Sequence, residues 1–159
     1  MLNATLKKPP ASETGASTIE VLVANPSEAE YAALRRMLPS DKWALTRAAT
    51  VDVVRTLLRS AKDRFSVLVC ERELTPGTWR NVMDQLQQIV HPPLLIVSSR
   101  FADERLWAEA LNLGAYDVLA TPFEADEVRR VLGSAWRRWA REHASSPAYQ
   151  HTKMEALRA

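Results

Sequence analysis

Short apolar runs alternate along the chain with longer segments whose apolar residues recur at helical spacing. Five of these runs are rich in Val, Ile and Leu and too short for helices, which predicts β-strands. They cover residues 21–25, 43–47, 65–71, 94–98 and 118–120. The second run contains more polar residues than the others, so we expect it nearer an edge of the sheet. The first, third and fourth are predicted to be central, because buried parallel strands are almost wholly apolar.

The segments between the runs begin with residues that cap helices. Ser27 and Glu30 have the spacing of a capping box, and Thr50, Thr78 and Asp103 stand at later helix starts. Residues expected to face inward are Tyr31, Leu34 and Leu38 in the first helix, Val54, Leu57, Leu58 and Ala61 in the second, and Val82, Leu86, Ile89 and Val90 in the third. Gly114 is predicted to end the fourth helix in a left-handed conformation, and the last helix is predicted over 124–142.

This alternation predicts an α/β fold with a parallel five-stranded sheet covered by helices on both faces, since parallel strands need right-handed crossovers. The polar residues Asn25, Glu71 and Ser98 end the three central strands, and Thr121 follows the fifth. In such sheets, ligands and chemistry lie at the carboxyl ends of the strands. We therefore expect these four side chains to converge on one edge.

The length of 159 residues predicts one domain, placed at 19–142. Residues 1–18 are polar and lack the apolar core of a signal peptide, so we interpret them as a flexible leader. Residues 143–159 are interpreted as a tail that is loose or forms a short helix. No apolar run approaches the ~20 residues that a membrane span needs.

Composition excludes several functional classes. The net charge of +2 gives no strong attraction to nucleic acid or membrane. The only cysteine, Cys70, excludes an intrachain disulfide and suits a reducing cytoplasm, and its place in an apolar strand predicts a packing role. The histidines His91, His143 and His151 lie far apart in sequence without a plausible second ligand, so no metal site is predicted.

Several local sequences resemble the receiver domain of bacterial response regulators. They are Val21-Leu-Val, Phe65-Ser-Val-Leu-Val-Cys-Glu71, Leu95-Ile-Val-Ser-Ser99 and Gly114-Ala-Tyr-Asp-Val-Leu-Ala-Thr-Pro-Phe123. The last is the most specific, because the family has Gly-Ala followed some residues later by Lys-Pro-Phe. The resemblance covers residues 19–142. It implies a doubly wound, flavodoxin-like (βα)5 sheet. It also suggests a cis bond between Thr121 and Pro122, which the sequence itself leaves open.

The resemblance also implies where the family's phosphorylation site would fall. The acidic pair that holds Mg²⁺ corresponds to Asn25 and Pro26, and the phosphoacceptor aspartate corresponds to Glu71. The spacing to Pro76-Gly77 alternatively places Arg72 there, although counting along the strand favours Glu71. Either choice removes the aspartate.

Two further family positions contact the phosphoryl group. The hydroxyl residue is kept as Ser98, but the lysine corresponds to Thr121. The aromatic residue that moves on activation corresponds to Val118, which cannot play that part.

These replacements predict weak or absent Mg²⁺ binding, no cofactor and no phosphorylation. Mg²⁺ prefers carboxylate oxygens, whereas Asn25 offers one neutral carbonyl and Pro26 offers no side-chain ligand. Phosphoryl transfer needs cationic charge on the moving group, and both the metal site and the lysine are replaced. Glu71 is interpreted in two ways. It acts as a built-in phosphate mimic that reaches toward Ser98, or it is a solvated carboxylate at a strand end.

The last helix predicts a surface for a partner. Its apolar stripe continues to Trp136 and Trp139, and arginines line the opposite side. One interpretation is a core-facing helix with a solvated basic face. In the family, the fourth helix, fifth strand and fifth helix form a common dimer surface, to which Trp107 and Val118 would contribute. We predict a homodimer or another protein contact there. Acidic residues on the same helix offset its basic charge and argue against a nucleic-acid interface.

The function predicted from the resemblance is a cytoplasmic, non-enzymatic signalling module. It would act through protein partners, such as a histidine kinase or a downstream effector, without being phosphorylated. One alternative is a functional phosphoacceptor with atypical residues in a histidine–aspartate phosphorelay. A second is a small-molecule-binding or enzymatic flavodoxin-like protein. No Gly-rich phosphate loop follows the first strand and no nucleophile–base pair is evident, which weakens this last alternative.

Overall fold

The structure is a computed structural model that describes residues 18–61 and 63–144. The leader predicted at 1–18 lies outside these residues except for Thr18. The tail predicted at 143–159 lies outside them from residue 145 onward. Residue 143 is still helical, one residue past the predicted domain end at 142.

Five parallel strands form the main sheet. They are β1 (Ile19–Ala24), β2 (Trp43–Ala48), β3 (Val67–Glu71), β6 (Leu94–Ser99) and β7 (Asp117–Ala120), in the order β2-β1-β3-β6-β7. The predicted α/β fold with a doubly wound parallel sheet is confirmed. The more polar β2 lies at an edge, and the three apolar strands β1, β3 and β6 are central, as predicted.

Four helices connect the strands of the main sheet, and a fifth follows the last strand. They are α1 (Glu28–Met37), α2 (Val51–Ser60), α3 (Trp79–Leu86), α4 (Glu104–Leu113) and α5 (Ala125–His143). The side chains of Ser27, Thr50, Thr78 and Asp103 each accept a backbone N–H at the start of a helix, where the sequence placed the caps. Gly114 ends α4 in the left-handed region with φ 107°, which glycine adopts without steric cost.

The helices bury the two faces of the sheet in two apolar clusters. On one face, Leu22, Leu68 and Val97 pack against α2, α3 and α4. On the other face, Val23 and Ile96 pack against α1 and α5. Successive strand residues point to opposite faces, so every central strand contributes to both clusters. Among the described helices, none is both long and apolar enough to cross a bilayer.

The segment after Glu71 differs from prediction at two points. Two short strands, β4 (Glu73–Leu74) and β5 (Gly77–Thr78), form an antiparallel ladder that the sequence did not predict. The prediction that Val90 faces inward is wrong, because α3 ends at Leu86 and Val90 is 87% exposed. Pro92 and Pro93 cannot continue a helix, so the chain leaves α3 early in order to enter β6.

Two glycine substitutions should have opposite effects on stability. Gly114→Ala forces a Cβ into the left-handed region and should cost about 1–2 kcal/mol, although the site has open space. Gly133→Ala lies inside α5, where the new Cβ meets only the flexible end of Arg137 at 3.4 Å, and should stabilise by about 1 kcal/mol. Urea denaturation of both variants measures the difference. Equal shifts in the same direction would contradict this account.

Candidate functional site

The four polar residues predicted at the strand ends do lie along one edge of the sheet. Glu71 is the last residue of β3, and its register partner in β6 is Ser98. Asn25 directly follows β1, and Thr121 directly follows β7. All five strands run in the same direction, so their carboxyl ends meet here.

Glu71 and Ser98 form the centre of the site. The Ser98 hydroxyl donates a hydrogen bond of 3.1 Å to Oε2 of Glu71. Ser98 is fully buried, and the Glu71 side chain is half-buried. A carboxylate in this position is partly desolvated but keeps one strong donor.

The pKa of Glu71 is raised to about 7, mainly because burial disfavours its charged form. The hydrogen bond from Ser98 acts in the opposite direction. The nearby charge of Glu30 raises the pKa further, and the Arg72 backbone close by lowers it. Glu71 therefore changes its charge close to neutral pH.

Asn25 is tied into its own loop. Its Nδ2 donates to Oε2 of Glu30 at 2.6 Å, and its Oδ1 accepts from the Ser27 backbone N–H at 2.8 Å. The predicted capping box is therefore only half formed. Ser27 accepts the Glu30 N–H at 3.2 Å, but the Glu30 carboxylate bonds Asn25, because the Ser27 N–H already has Asn25 as its acceptor.

Arg47 and Glu30 belong to the site although the sequence analysis did not assign them to it. Arg47 reaches from β2 and donates to the backbone carbonyls of Asn25 at 3.1 Å and Pro26 at 2.8 Å. In the sequence, Arg47 ends the second predicted strand and Glu30 lies near the start of the first helix. Neither position identifies a hydrogen-bond partner. With Arg47 bound to it, the loop after β1 is fixed by charge-assisted hydrogen bonds.

At the two positions where the resemblance places an acidic pair for Mg²⁺, the chain has no carboxylate. The Asn25 carbonyl is occupied by a backbone N–H, and Pro26 has no side-chain ligand. No group of three His, Cys, Asp or Glu side chains suited to a metal ion occurs in the described part of the chain.

Thr121 brings no charge to the site. Its Oγ1 is buried and has no hydrogen-bond partner among the described residues, and the Thr121–Pro122 peptide bond is cis. On the other side of Glu71, the backbone N–H of Arg72 donates to the Ser98 carbonyl at 2.8 Å. Register thus places Glu71, rather than Arg72, opposite Ser98.

The side chains predicted for an interface are not equally available. Trp107 on α4 is 50% exposed, and its Nε1 donates to Asp117 Oδ1 at 3.3 Å. Val118 is buried in the core, so its assignment to a surface is wrong. Trp136 is half-buried and packs against the apolar cluster that α1 and α5 form with the sheet. Phe101, which the sequence analysis did not consider, is 72% exposed before α4.

Trp139 lies in an aromatic contact rather than on an open face. Its ring stacks on His143 with centroids 4.2 Å apart, and His91 approaches the same imidazole at 5.1 Å. Nδ1 of His143 lies 2.7 Å from the Trp139 carbonyl oxygen. Two histidines that the sequence separates widely therefore meet at the end of α5, and Trp139 packs against one of them within the chain.

Comparisons with known proteins identify the fold. A signal receiver domain from Vibrio parahaemolyticus aligns with a TM-score of 0.74 at 15% identity, over 82% of this chain and 98% of that one. The receiver domain of an HD domain-containing protein from Pseudomonas fluorescens Pf-5 gives 0.71 at 20%, over 80% and 93%. The beryllofluoride-activated NtrC4 receiver domain dimer gives 0.69 at 20%, over 76% and 98%.

The chain thus has the fold of response regulator receiver domains, as the resemblance in its sequence implied. No family model and no curated protein matches the sequence. The comparisons therefore establish the fold class. The function has to be inferred from the residues of the site.

Replacing Glu71 with glutamine should stabilise the protein in a pH-dependent manner. Because the folded pKa is raised, stability falls as pH rises from the ordinary value of 4.5 through about 7. Glu71→Gln should therefore unfold like wild type at about pH 4 and be more stable by about 1–2 kcal/mol at about pH 8, after discounting for solvent screening. Denaturation across this range measures it. Glu104→Gln at an exposed position is the control, and an equal effect from it would refute the assignment.

Proposed function

We propose that this chain is a signalling module of the receiver type that acts through protein contacts and is not phosphorylated. The proposal goes beyond the shared fold, which by itself licenses no function. It includes a non-enzymatic role in a cytoplasmic compartment, with which the lone, buried Cys70 is compatible.

The observation that carries the proposal is the hydrogen bond between Ser98 and Glu71. In receivers the hydroxyl at the Ser98 position contacts the phosphoryl group. Here the same hydroxyl already bonds a carboxylate of this chain at 3.1 Å. Glu71 is half-buried and paired, which favours the role of a built-in phosphate mimic over that of a solvated carboxylate.

The surroundings of Glu71 also support a site without phosphoryl transfer. A phosphoryl group in transit is stabilised by metal and ammonium charge. The corresponding positions hold Asn25, Pro26 and Thr121, none of which is charged. Glu30 adds a further negative charge near Glu71, which opposes the approach of an anionic phosphodonor. The charges of these residues argue against the alternative of an atypical phosphoacceptor.

Intact mass spectrometry after incubation with acetyl phosphate and Mg²⁺ tests the proposal. We expect no added phosphoryl mass on wild type or on Glu71→Asp, because restoring the aspartate restores neither the acidic pair nor the lysine. A receiver domain with all of these residues serves as the positive control. A labile adduct on wild type would overturn the proposal, and its mapped position would identify the acceptor.

For the partner surface, we propose α4 with its flanking segments. Trp107 and Phe101 are large, exposed aromatic side chains within this short stretch, and aromatic residues anchor interfaces. The solved NtrC4 receiver is a dimer, and by analogy a second copy of this chain is the partner we propose. A histidine kinase or a downstream effector is the alternative occupant.

Light scattering coupled to size-exclusion chromatography tests the homodimer. Wild type should show a concentration-dependent mass approaching twice 17.9 kDa, and Trp107→Ala should weaken association about tenfold or more. Val90→Ala, which truncates an exposed residue elsewhere, should associate like wild type. A monomer mass at all concentrations would reject the homodimer and leave other proteins as partners.

A further inference from the structure

The outer edge of β2 is open in the part of the chain that the structure describes. β2 has β1 as its single neighbour and bonds it through its even-numbered residues, as the 2.8 Å bond from the Ile19 N–H to the Lys42 carbonyl shows. In a parallel pair, successive residues of a strand direct their backbone groups to opposite edges. The backbone groups of Trp43, Leu45 and Arg47 therefore point away from the sheet.

Most of these outward backbone groups lack a partner among the described residues. The Trp43 N–H donates to the Pro39 carbonyl at 2.9 Å, and the Tyr31 hydroxyl donates to the Leu45 carbonyl at 3.1 Å. The N–H groups of Leu45 and Arg47 and the carbonyls of Trp43 and Arg47 remain. Such a row of unpaired donors and acceptors is a template for a further strand.

β2 also lacks the features that protect an exposed edge. Native edge strands are often very short, or carry proline or charged side chains. β2 has six residues, and residues 43–46 include neither proline nor a charged side chain. At the opposite edge of the sheet, β7 has four residues and begins with Asp117. Of the two edges, that of β2 is better suited to accept another strand.

A groove runs beside this edge on the face of the sheet that α1 covers. Its volume is about 910 Å³, and it is lined by α1, by the turn that follows α1 and by the first half of β2. Leu38, Trp43 and Leu45 supply apolar surface, and Arg35 and Arg36 are exposed beside them. The side chains of a strand alternate between two faces, so every second side chain of an added strand enters this groove.

The charge of the groove identifies the kind of strand that fits. Arg35 and Arg36 form no ion pair among the described residues, and no acidic residue lines the groove. The guanidinium carbon of Arg35 lies 5.9 Å from the centre of the Tyr31 ring, and this contact holds the charge beside the edge. In the turn before β2, Asp41 and Lys42 offset each other. The groove therefore suits a carboxylate, which arginine binds through two hydrogen bonds.

We propose that the outer edge of β2 binds an extended, acidic segment of a partner protein as a sixth strand. Backbone hydrogen bonds to Leu45 and Arg47 supply affinity, and an acidic side chain at every second position pairs with the arginines of the groove. Residues 1–17 of this chain suit the groove less well, because they contain Lys7 and Lys8 against the single acidic residue Glu13. The surface lies at the opposite edge of the sheet from β7, and so apart from the α4 surface proposed above.

Fluorescence anisotropy of the full chain with a panel of labelled hexapeptides tests binding. In each peptide Glu or Asp alternates with Val, Ile, Thr or Tyr, which favour strands. At least one peptide should bind with a Kd below about 1 mM. Its counterpart with Lys in place of the acidic residues should bind about tenfold more weakly or worse. Amide shifts of ¹⁵N-labelled protein should be largest at Leu45 and Arg47. Binding by none of the peptides, or shifts confined to other elements, would overturn the proposal.

N-methylation of the bound peptide separates strand addition from attraction between charges. Successive N–H groups of a strand point to opposite edges, so methylating alternate residues blocks either the edge that faces β2 or the edge that faces solvent. One methylated set should weaken binding about tenfold or more, and the other should leave it unchanged. The set that fails shows whether the added strand is parallel or antiparallel to β2. Equal binding by the two sets would reject strand addition.

The role of the arginines is tested in one variant that carries Arg35→Gln and Arg36→Gln. It should bind the acidic peptide about fivefold more weakly or worse, and the loss should shrink at high salt. Arg100→Gln with Arg105→Gln removes two exposed arginines far from β2 and should bind like wild type. Equal affinities for the two variants would refute the assignment of the acidic segment to this groove. Failure of peptide binding would leave the phosphorylation and light-scattering results unchanged, so the proposals fail separately.

Discussion

Parallel pairing of five strands is the constraint on which the rest of this structure depends. It brings all the carboxyl ends to one edge and fixes Glu71 opposite Ser98 by register. A shift of one residue would turn each side chain to the other face of the sheet. The dense apolar packing of β1, β3 and β6 on both faces holds that register. The site is therefore a product of the core, although none of its polar groups belongs to the apolar clusters.

At this edge several polar groups find partners within the chain, whereas the buried Thr121 Oγ1 has none among the described residues. Asn25 bonds Glu30 and Ser27, Arg47 bonds the loop carbonyls, and Ser98 bonds Glu71. These contacts join the ends of β1 and β2 to each other and the end of β3 to that of β6.

The sequence was sufficient for the strands, the helix starts and the edge position of β2, because apolar periodicity and capping residues are local signals. The convergence of Glu71 and Ser98 also followed from strand order. The β4–β5 ladder and the burial of Val118 could not be predicted, since each depends on how neighbouring elements pack. The exposure of Val90 had a local signal in Pro92 and Pro93, which the apolar periodicity of α3 outweighed. The hydrogen bond from Asn25 to Glu30 could not be predicted either. Ser27 and Glu30 have the spacing of a capping box, which predicts a different partner for the Glu30 carboxylate.

Cys70 gives the chain a built-in probe of its own opening. The thiol is fully buried in β3, burial raises its pKa, and it is the only cysteine in the sequence. A thiol reagent can reach it only when the central sheet separates. The rate of alkylation under native conditions therefore reports how often the middle of the molecule opens, without any label being introduced. The alkylation rate of this small core residue thus measures how often the central sheet opens.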